Sequence, residues 1–286
     1  MTYQWLKGAQ SISGATTASY TIQTAEYADS DYYSVVVGNP YGSITSASAF
    51  LSVAVPTSGT PAPQGIVAWW RAEGNANDAA GANHGTFTGS YNAGQVGQAF
   101  TIDSSHNVQI PASAALDLGA GNALTIEGWI KPYDTVYRPV VEWAPSGNYG
   151  LHIWASFPDP GCVWVNLFGT DGLHHSFQSA AGLLTVNTFQ HLAVTYDKLS
   201  GNAQLFRNGA PIQTVPLGTF TPQTTPALYL GYRPSWVPNA PAYFSGLIDE
   251  ISLYNRALSA PQIQAIVSAG PAGKYPTVSP PSITCP

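Results

Sequence analysis

The loop from Glu73 to Gly85, EGNANDAAGANHG, concentrates oxygen-bearing side chains that could bind a cation. Ca²⁺ takes about six to eight oxygen ligands from carboxylates, amides, backbone carbonyls and water. Glu73, Asp78 and Asn83 supply such oxygens, and the intervening glycines allow backbone carbonyls to turn inward. The loop therefore predicts a calcium site. The alternative is ordinary turn chemistry, in which Asp and Asn side chains cap backbone N–H groups.

Aromatic side chains form a second group of candidates, because sugar rings present apolar faces that stack on flat rings while their hydroxyls seek hydrogen bonds. Trp236 is the foremost candidate, since it lies in the proline-rich stretch RPSWVPNAPAY, which has no strand periodicity. A tryptophan in such a stretch can equally pin the loop to the protein core. The remaining candidates for contact with a sugar are Trp154, Phe157, Tyr137 and Trp143, with Arg233 as a polar partner.

Catalytic signatures are missing from the sequence. Hydrolases of β-glucans aim carboxylates into one cleft by placing them two residues apart on a strand. Asp249 and Glu250 are consecutive, and Glu127 and Glu142 each stand alone on a predicted strand. There is also no G-x-S-x-G, H-E-x-x-H or phosphate-binding glycine motif. We therefore expect a protein that is not an enzyme.

The composition predicts an all-β protein. Charged residues make up only 8% of the 286 residues, whereas the chain has 28 glycines and 23 prolines, which suits many short strands joined by turns. The net charge of -6 leaves no basic surface for nucleic acid, and no apolar run is long enough for a transmembrane helix. The expected partners therefore include neither nucleic acid nor a membrane interior.

Local patterns predict the elements that must position these residues. Leu124–Ile130 alternates apolar and polar residues in the manner of a half-buried strand, and Asn208-Gly209 predicts a tight hairpin between two further strands. Near the C-terminus, Ser259 and Gln262 form a capping-box pattern, and Gly270 is a suitable helix stop. We therefore expect about a dozen strands in the larger part of the chain and one short helix.

Four segments of the chain resemble the LamG-like jelly-roll family within the concanavalin A-like lectin/glucanase superfamily. They are GIVAWWRAEGNANDAAGANHG, ALTIEGWIKP, HLAVTYDKLSGNAQLFRNG and GLIDEISLYNRALS. The chain departs from the family pattern at Phe189-Gln190-His191, where the family usually has Trp-His-His. The resemblance implies a jelly-roll β-sandwich with a short C-terminal helix over residues 65–272.

This resemblance also implies site residues and a setting. It places Asp78, Asn83 and Asp249 near a structural calcium, because the first and last strands of such sandwiches are neighbours. It further implies a secreted or cell-surface module that binds a polysaccharide or another glycan.

The first 54 residues resemble a truncated immunoglobulin-like β-sandwich. The pattern Asp29-x-Asp31-x-Tyr33 resembles a tyrosine corner, with Trp5 and Val35 at the positions of the core tryptophan and the second cysteine. Two opening strands of such a domain are missing, so we expect an excerpt of a longer protein whose neighbouring domains are possible partners. Residues 55–64 are expected to be a proline-rich linker, and residues 273–286 a tail toward a following domain.

The two cysteines, Cys162 and Cys285, allow at most one bridge. Both thiols could be unpaired, or they could form a bridge that pins the C-terminal tail. A bridge would require an oxidising compartment.

Three functions fit these observations. The first is a non-catalytic carbohydrate-binding module of a secreted bacterial multidomain protein. The second is an adhesive or structural spacer without glycan binding, and the third is an ancillary domain of an extracellular glycoside hydrolase. Exposed aromatic area beside a concave face or loop rim would discriminate the first from the second.

Overall fold

The computed structural model describes residues 1–22, 29–52, 58–144, 149–234 and 242–276. The chain forms two compact units. The smaller is built mainly on Met1–Thr57, and the larger comprises Ser58–Tyr275. Within the described residues, no helix is long and apolar enough to cross a membrane.

The smaller unit is described as one antiparallel sheet, in the order β2-β1-β3-β4 with β5 also paired to β3. Trp5 pairs with Val35 across β1 and β3, and the Tyr33 hydroxyl donates to the Asp29 carbonyl at 3.0 Å. Tyr32 and Phe50 pack against each other at the surface, with 55% and 57% exposure. The strands are β1 (Thr2–Lys7), β2 (Gln10–Ser11), β3 (Asp31–Asn39), β4 (Gly42–Thr45) and β5 (Ala49–Leu51).

The larger unit contains a six-stranded antiparallel sheet, called here the cleft sheet. Its order is β10-β19-β12-β13-β14-β15. Its strands are β10 (Val108–Ile110), β12 (Arg138–Trp143), β13 (His152–Ala155), β14 (Val163–Asn166), β15 (Ser176–Gln178) and β19 (Leu228–Leu230).

The second sheet of this unit is eight-stranded and antiparallel, and is called here the back sheet. Its order is β18-β17-β16-β11-β22-β9-β8, with β7 paired to β22. Its strands are β7 (Ile66–Trp70), β8 (Tyr91–Ala93), β9 (Gln98–Ile102), β11 (Ala123–Pro132), β16 (Gln190–Asp197), β17 (Asn202–Arg207), β18 (Ala210–Pro216) and β22 (Gly246–Tyr254). The adjacency of β7 and β22 confirms that the opening and closing strands of the sandwich lie side by side.

The core lies between the two sheets and explains why these strands form. Alternate residues of both sheets enter one buried apolar cluster, which includes Ile126 from β11 and Ile153 and Val165 from the cleft sheet. Burial of such side chains contributes on the order of 25 cal/mol per Å² of apolar surface. The fold is therefore an all-β sandwich, as the sequence predicts.

Two local predictions are also confirmed. Asn208 and Gly209 both have positive φ, 51° and 83°, and join β17 to β18 in a tight hairpin. The helix α1 (Ala260–Ser268) begins after Ser259, whose backbone N–H donates to the Gln262 side chain at 3.0 Å. Shorter 3-10 helices span Ala114–Leu116, Leu118–Ala120 and Gly270–Ala272.

The boundaries of the larger unit differ from the expected 65–272. The short strand β6 (Thr60–Pro61), expected in the linker, pairs in parallel with β23 (Lys274–Tyr275), expected in the tail. Backbone hydrogen bonds from Thr60 to Gly273 and from Ala62 to Tyr275 complete this terminal clip. The clip draws both ends of the unit into the fold.

The terminal clip is anchored by a buried charge network on β11 and β22. The Lys274 ammonium, 1% exposed, lies 3.1 Å from Glu127 and 3.4 Å from Glu250, and His191 contacts Glu127 at 2.7 Å. Burial acts to raise the pKa of Glu127, but Lys274 and His191 outweigh it and lower the pKa to about 2. Trp69 donates its indole N–H to Glu250 at 3.0 Å, and Arg71 lies 3.9 Å from the same carboxylate. The Tyr254 hydroxyl donates to Glu127 at 3.2 Å.

Replacement of Lys274 by Met should destabilise the larger unit by about 3–5 kcal/mol, because it removes the cation that two buried carboxylates share and leaves Glu250 with Arg71 at 3.9 Å. Urea-induced unfolding measures this change. Lys131→Met is the control, since Lys131 is half-buried and only approaches the Phe189 ring at 5.7 Å, and it should cost less than about 1 kcal/mol. Equal losses in the two variants would contradict the anchoring role of Lys274.

Candidate functional site

A cleft of about 830 Å³ lies on the face of the cleft sheet that points away from the core. Strands β12, β13 and β14 supply its floor, and the hairpin of β20 (Tyr232–Arg233) and β21 (Ala242–Tyr243) supplies part of its wall. The residues that line the cleft include Asp103, Tyr137, Arg138, Tyr149, His152, Trp154, Phe157, Trp164 and Arg233.

Strand alternation places the tryptophans in the cleft. Ile153 and Val165 point into the core, so their neighbours Trp154 and Trp164 emerge on the opposite face. Trp154 and Trp164 are also direct cross-strand partners. The two adjacent strands therefore carry a pair of indole rings to one place.

An exposed aromatic rim stands over this pair. The Tyr137 ring, 58% exposed, lies nearly parallel to Trp154, with 6.2 Å between centroids and 11° between planes. The Phe157 ring, 38% exposed, meets Trp154 and Trp164 edge-on at 5.9 and 5.4 Å. Trp154 itself is only 7% exposed. The cleft thus offers a solvent-facing stacking surface on a fixed indole base.

The buried carboxylate of Glu142 fixes the position of the Trp154 ring through hydrogen bonds. One carboxylate oxygen accepts the Trp154 indole N–H at 2.9 Å, and the other accepts from the Arg233 guanidinium at 2.6 Å. The guanidinium in turn lies over the Trp154 ring at 4.6 Å and the Tyr149 ring at 5.3 Å. Burial raises the pKa of Glu142 to about 7, opposed by Arg233 and by the Trp154 N–H.

His152 is a neutral part of the same floor. Burial and the nearby Arg233 charge lower its pKa to about 3. Its Nδ1 donates to the Gly150 carbonyl at 2.8 Å, which leaves Nε2 to accept from the Asn166 amide at 3.3 Å. The imidazole therefore contributes shape and hydrogen bonding and adds no charge to the cleft.

The calcium candidates Asp78 and Asn83 form a closed hydrogen-bond motif. Asp78 Oδ1 accepts backbone N–H groups of Trp69 and Ala80, and Oδ2 accepts the backbone and amide N–H groups of Asn83. Asn83 Oδ1 accepts from the Ser113 hydroxyl at 2.6 Å. Their oxygens are thus engaged as a loop cap, the alternative given by turn chemistry, and these two residues do not fit a calcium site.

The other two calcium candidates, Asp249 and Glu73, accept hydrogen bonds from the backbone of the turn at 94–98. Asp249 Oδ2 accepts backbone N–H groups of Gln95 and Val96 at 2.8 and 3.0 Å, while its Oδ1 is buried without a hydrogen-bond partner. Burial raises the pKa of Asp249 to about 8. Glu73 accepts the Gln98 N–H at 3.3 Å. Among the described residues, no three His, Cys, Asp or Glu side chains converge as a metal cluster.

Comparison with known proteins identifies the family. A model described as concanavalin A-like lectin/glucanases superfamily matches residues 102–264, which is more than half of the chain. The chain belongs to this superfamily. No curated protein sequence matches it.

Solved structures with similar folds include an arabinanase domain and toxin binding domains. Domain 4 of AbnA, a GH43 extracellular arabinanase from Geobacillus stearothermophilus, in complex with arabinotriose, is 20% identical with a TM-score of 0.52 over 70% of this chain and 96% of that one. The binding domain of Paraclostridial Mosquitocidal Protein 1 is 13% identical, with a TM-score of 0.55 over 71% of this chain and 52% of that one. The botulinum neurotoxin serotype G binding domain is 11% identical, with a TM-score of 0.54 over 71% and 50%.

This chain therefore spans nearly all of the arabinanase domain and about half the length of the toxin binding domains.

On this concanavalin A-like frame, four of the predicted ligand residues, Tyr137, Trp154, Phe157 and Arg233, come together in one cleft. The prediction for Trp143 is wrong, because it ends β12 with its side chain in the core at 0% exposure. Trp236 lies outside the described residues, as does Cys285. Cys162 is buried, and its thiol donates to the Phe157 carbonyl.

Sequence reasoning missed Trp164 and Tyr149, which line the cleft, and Glu142, which contacts the lining residues Trp154 and Arg233. Glu142 stands alone on its strand, which argues against catalysis, but a lone carboxylate in a strand of apolar residues is itself a sign that it must find partners when buried. Trp164 lies one residue before Val165, whose side chain enters the core, so strand alternation was a signal that could have placed Trp164 on the opposite face. Nothing in the sequence around Tyr149 indicated that its side chain would line the cleft.

Glu142→Gln should flatten the pH dependence of stability. The folded chain holds the Glu142 proton more tightly than the unfolded chain, so this contribution to stability is full below pH 4.5 and is lost as the pH rises through about 7. The wild type should therefore lose up to about 3 kcal/mol more than the variant between about pH 5 and about pH 8. Urea unfolding at both pH values tests this, and parallel pH profiles would show that Glu142 does not titrate as described.

Proposed function

We propose that this protein binds a polysaccharide at the cleft as a non-catalytic module. The observation that carries the proposal is the exposed pair Tyr137 and Phe157, set over Trp154 and Trp164. Exposed rings that are not needed to close a core are available to stack on sugar faces, and the rigid base lowers the entropic cost of binding. A spacer has no reason to build such a surface.

The fold comparisons support the same class of ligand. The arabinanase domain with this fold was solved with arabinotriose, and one related toxin binding domain was solved in complex with SialylT. These ligands belong to those proteins. For this chain they make glycan a reasonable class of partner, and the arabinanase also favours the ancillary-domain version of the proposal, with the chemistry elsewhere in a parent enzyme.

We propose that the cleft does not catalyse hydrolysis. Glycoside hydrolysis requires one carboxyl group to transfer a proton and another to act as base or nucleophile. Both oxygens of Glu142 are engaged by Trp154 and Arg233, and its side chain is only 1% exposed. Asp103, at the rim, is held by His106 at 2.9 Å. Neither group is presented to a substrate as a free acid or base.

The proposed setting is extracellular, with the smaller unit acting as an immunoglobulin-like neighbour. The hydrogen bond from the Tyr33 hydroxyl to the Asp29 carbonyl supports that likeness, since a tyrosine corner makes a bond of this kind. The pairing of Trp5 with Val35 supports it as well.

We further propose a calcium ion at the turn 94–98, with Asp249 and Glu73 as the carboxylates that would hold it together with backbone carbonyls. The buried, unpartnered Oδ1 of Asp249 supports this placement, because an orphaned buried oxygen calls for an ion or a water. When bound, the ion would neutralise the turn and stabilise the fold. Asp78 and Asn83 take no part in this proposal.

Tyr137→Ala should weaken glycan binding by about fivefold, since the stacking contact is worth on the order of 1 kcal/mol. Calorimetric titration with arabinotriose and a polysaccharide panel measures the loss. Tyr133→Ala is the matched control, because Tyr133 is 43% exposed but does not line the cleft. A wild type that binds a protein partner and no glycan would overturn the proposal in favour of an adhesive module.

Chelation should lower the melting temperature of the wild type, and excess Ca²⁺ should restore it. Mass action gives about 2.7 kcal/mol of stabilisation when the free ion is at about 100 times its dissociation constant. Asp249→Asn should abolish the response to chelator. Asp78→Asn should lower the melting temperature while keeping the response, because Asp78 acts as a loop cap. An unchanged melting temperature at saturating chelator would remove calcium from the proposal.

A further inference from the structure

Both guanidinium groups that line the cleft are already paired with carboxylates. Arg138 donates two hydrogen bonds to Asp134, from Nε to Oδ1 at 3.3 Å and from Nη2 to Oδ2 at 2.8 Å. Its Nη1 donates to the Tyr243 carbonyl. Arg233 donates to Glu142 at 2.6 Å, and its guanidinium carbon lies over the Trp154 ring at 4.6 Å from the centroid. Each positive charge is thus compensated inside the protein.

The remaining charge at the cleft is negative. The hydrogen bonds that Asp103 accepts from His106 and Ser105 lower its pKa, so this carboxylate at the rim stays ionised. His152 is neutral, as described above. Above about pH 7, where Glu142 is ionised, the described cleft residues and their direct partners Asp134 and Glu142 therefore carry two guanidinium groups against three carboxylates, with His106 beside Asp103.

The undescribed segments next to the cleft residues in sequence do not alter this balance. Residues 145–148 read PSGN and residues 235–241 read SWVPNAP, so neither contains an ionisable side chain. Wherever these segments lie, they bring no charge to the cleft.

We infer that the cleft selects neutral polysaccharides and rejects those that carry carboxylates, with Glu142 and Asp134 as the residues that set this specificity. The inference rests on the proposed glycan binding and narrows it to a ligand class. A uronate or sialate would have to lose water from its carboxylate without finding an unpaired guanidinium, and it would also meet the Asp103 charge. Uncharged hydroxyls and apolar ring faces suffer neither penalty.

The inference makes Glu142 and Asp134 the residues whose loss should convert the specificity. Glu142→Gln and Asp134→Asn keep the shapes of the side chains but release Arg233 and Arg138, respectively, as unpaired cations. Asp134 is 31% exposed, so its variant is expected to fold even if the buried Glu142→Gln variant does not. Circular dichroism and thermal unfolding check the fold of both.

The experiment compares two arms of ligands at about pH 8, at ionic strengths of about 20 mM and about 300 mM. The neutral arm is arabinan, xylan and β-1,3-glucan, and the acidic arm is polygalacturonate, alginate and hyaluronan. The wild type should bind only within the neutral arm, with less than about a twofold change between the two salt concentrations. At low salt, each variant should bind the acidic polysaccharides at least about fivefold more tightly than the wild type does. This gain in affinity should be lost at high salt.

The outcomes separate this inference from the broader proposal. Wild-type binding to the acidic arm, or folded variants that gain nothing there, would overturn the selection for neutral ligands while leaving glycan binding in place. Absence of wild-type binding to both arms would instead count against the glycan proposal itself, and the inference would go with it.

Discussion

A carboxylate buried in a strand cannot remain without partners, and the partners of Glu142 are the groups that shape the cleft. At 1% exposure, the Glu142 carboxylate would carry a large desolvation cost if it stood alone. It recovers that cost from the Trp154 indole N–H and the Arg233 guanidinium. The same two contacts fix one ring of the stacking surface and bring the β20–β21 hairpin against the cleft sheet. Burial of one charge thus organises the site.

The back sheet uses the same physics for a different purpose. Glu127 and Glu250 are buried on β11 and β22, and Lys274 reaches them from the end of the unit. Glu250 occupies a β-bulge, with φ of 58°, opposite Gly128, where a Cβ would lie 2.4 Å from the Ile251 side chain. The bulge offsets the register so that this carboxylate meets Trp69 and Lys274. One buried cluster positions the aromatic rings of the cleft, and the other holds the terminal clip against the back sheet.

Charge pairing contributes to the stability of this protein, and under the proposed function it also sets specificity. Arg138 pairs with Asp134 and Arg233 with Glu142 inside the protein. A glycan in the cleft would then be recognised through shape and apolar contact. Cation–π contact of Arg233 with Trp154 and Tyr149 adds to this, because it holds the guanidinium over the two rings. A surface of this kind suits sugars better than ions.

The sequence by itself determined the elements that depend on local periodicity and turn chemistry. The alternation in Leu124–Ile130, the positive φ tolerated by Asn208-Gly209 and the pattern at Ser259 and Gln262 each specify a local conformation through the near neighbours of a residue. The motif resemblance added the sandwich itself and the adjacency of its first and last strands. The chemistry of sugar recognition, and not the resemblance, drew attention to Tyr137, Trp154 and Phe157, with Arg233 as a polar partner.

Only the tertiary structure decided which oxygens are free and which rings are exposed. Trp143 and Trp154 look alike in sequence, but strand β12 turns Trp143 into the core, whereas β13 turns Trp154 into the cleft. Asp78 and Asp249 both suit a cation in sequence. In the structure, four N–H groups donate to the Asp78 carboxylate, whereas Oδ1 of Asp249 is buried without a hydrogen-bond partner. These outcomes depend on contacts between residues far apart in the chain, as in the 91 positions between Glu142 and Arg233, which no local pattern encodes.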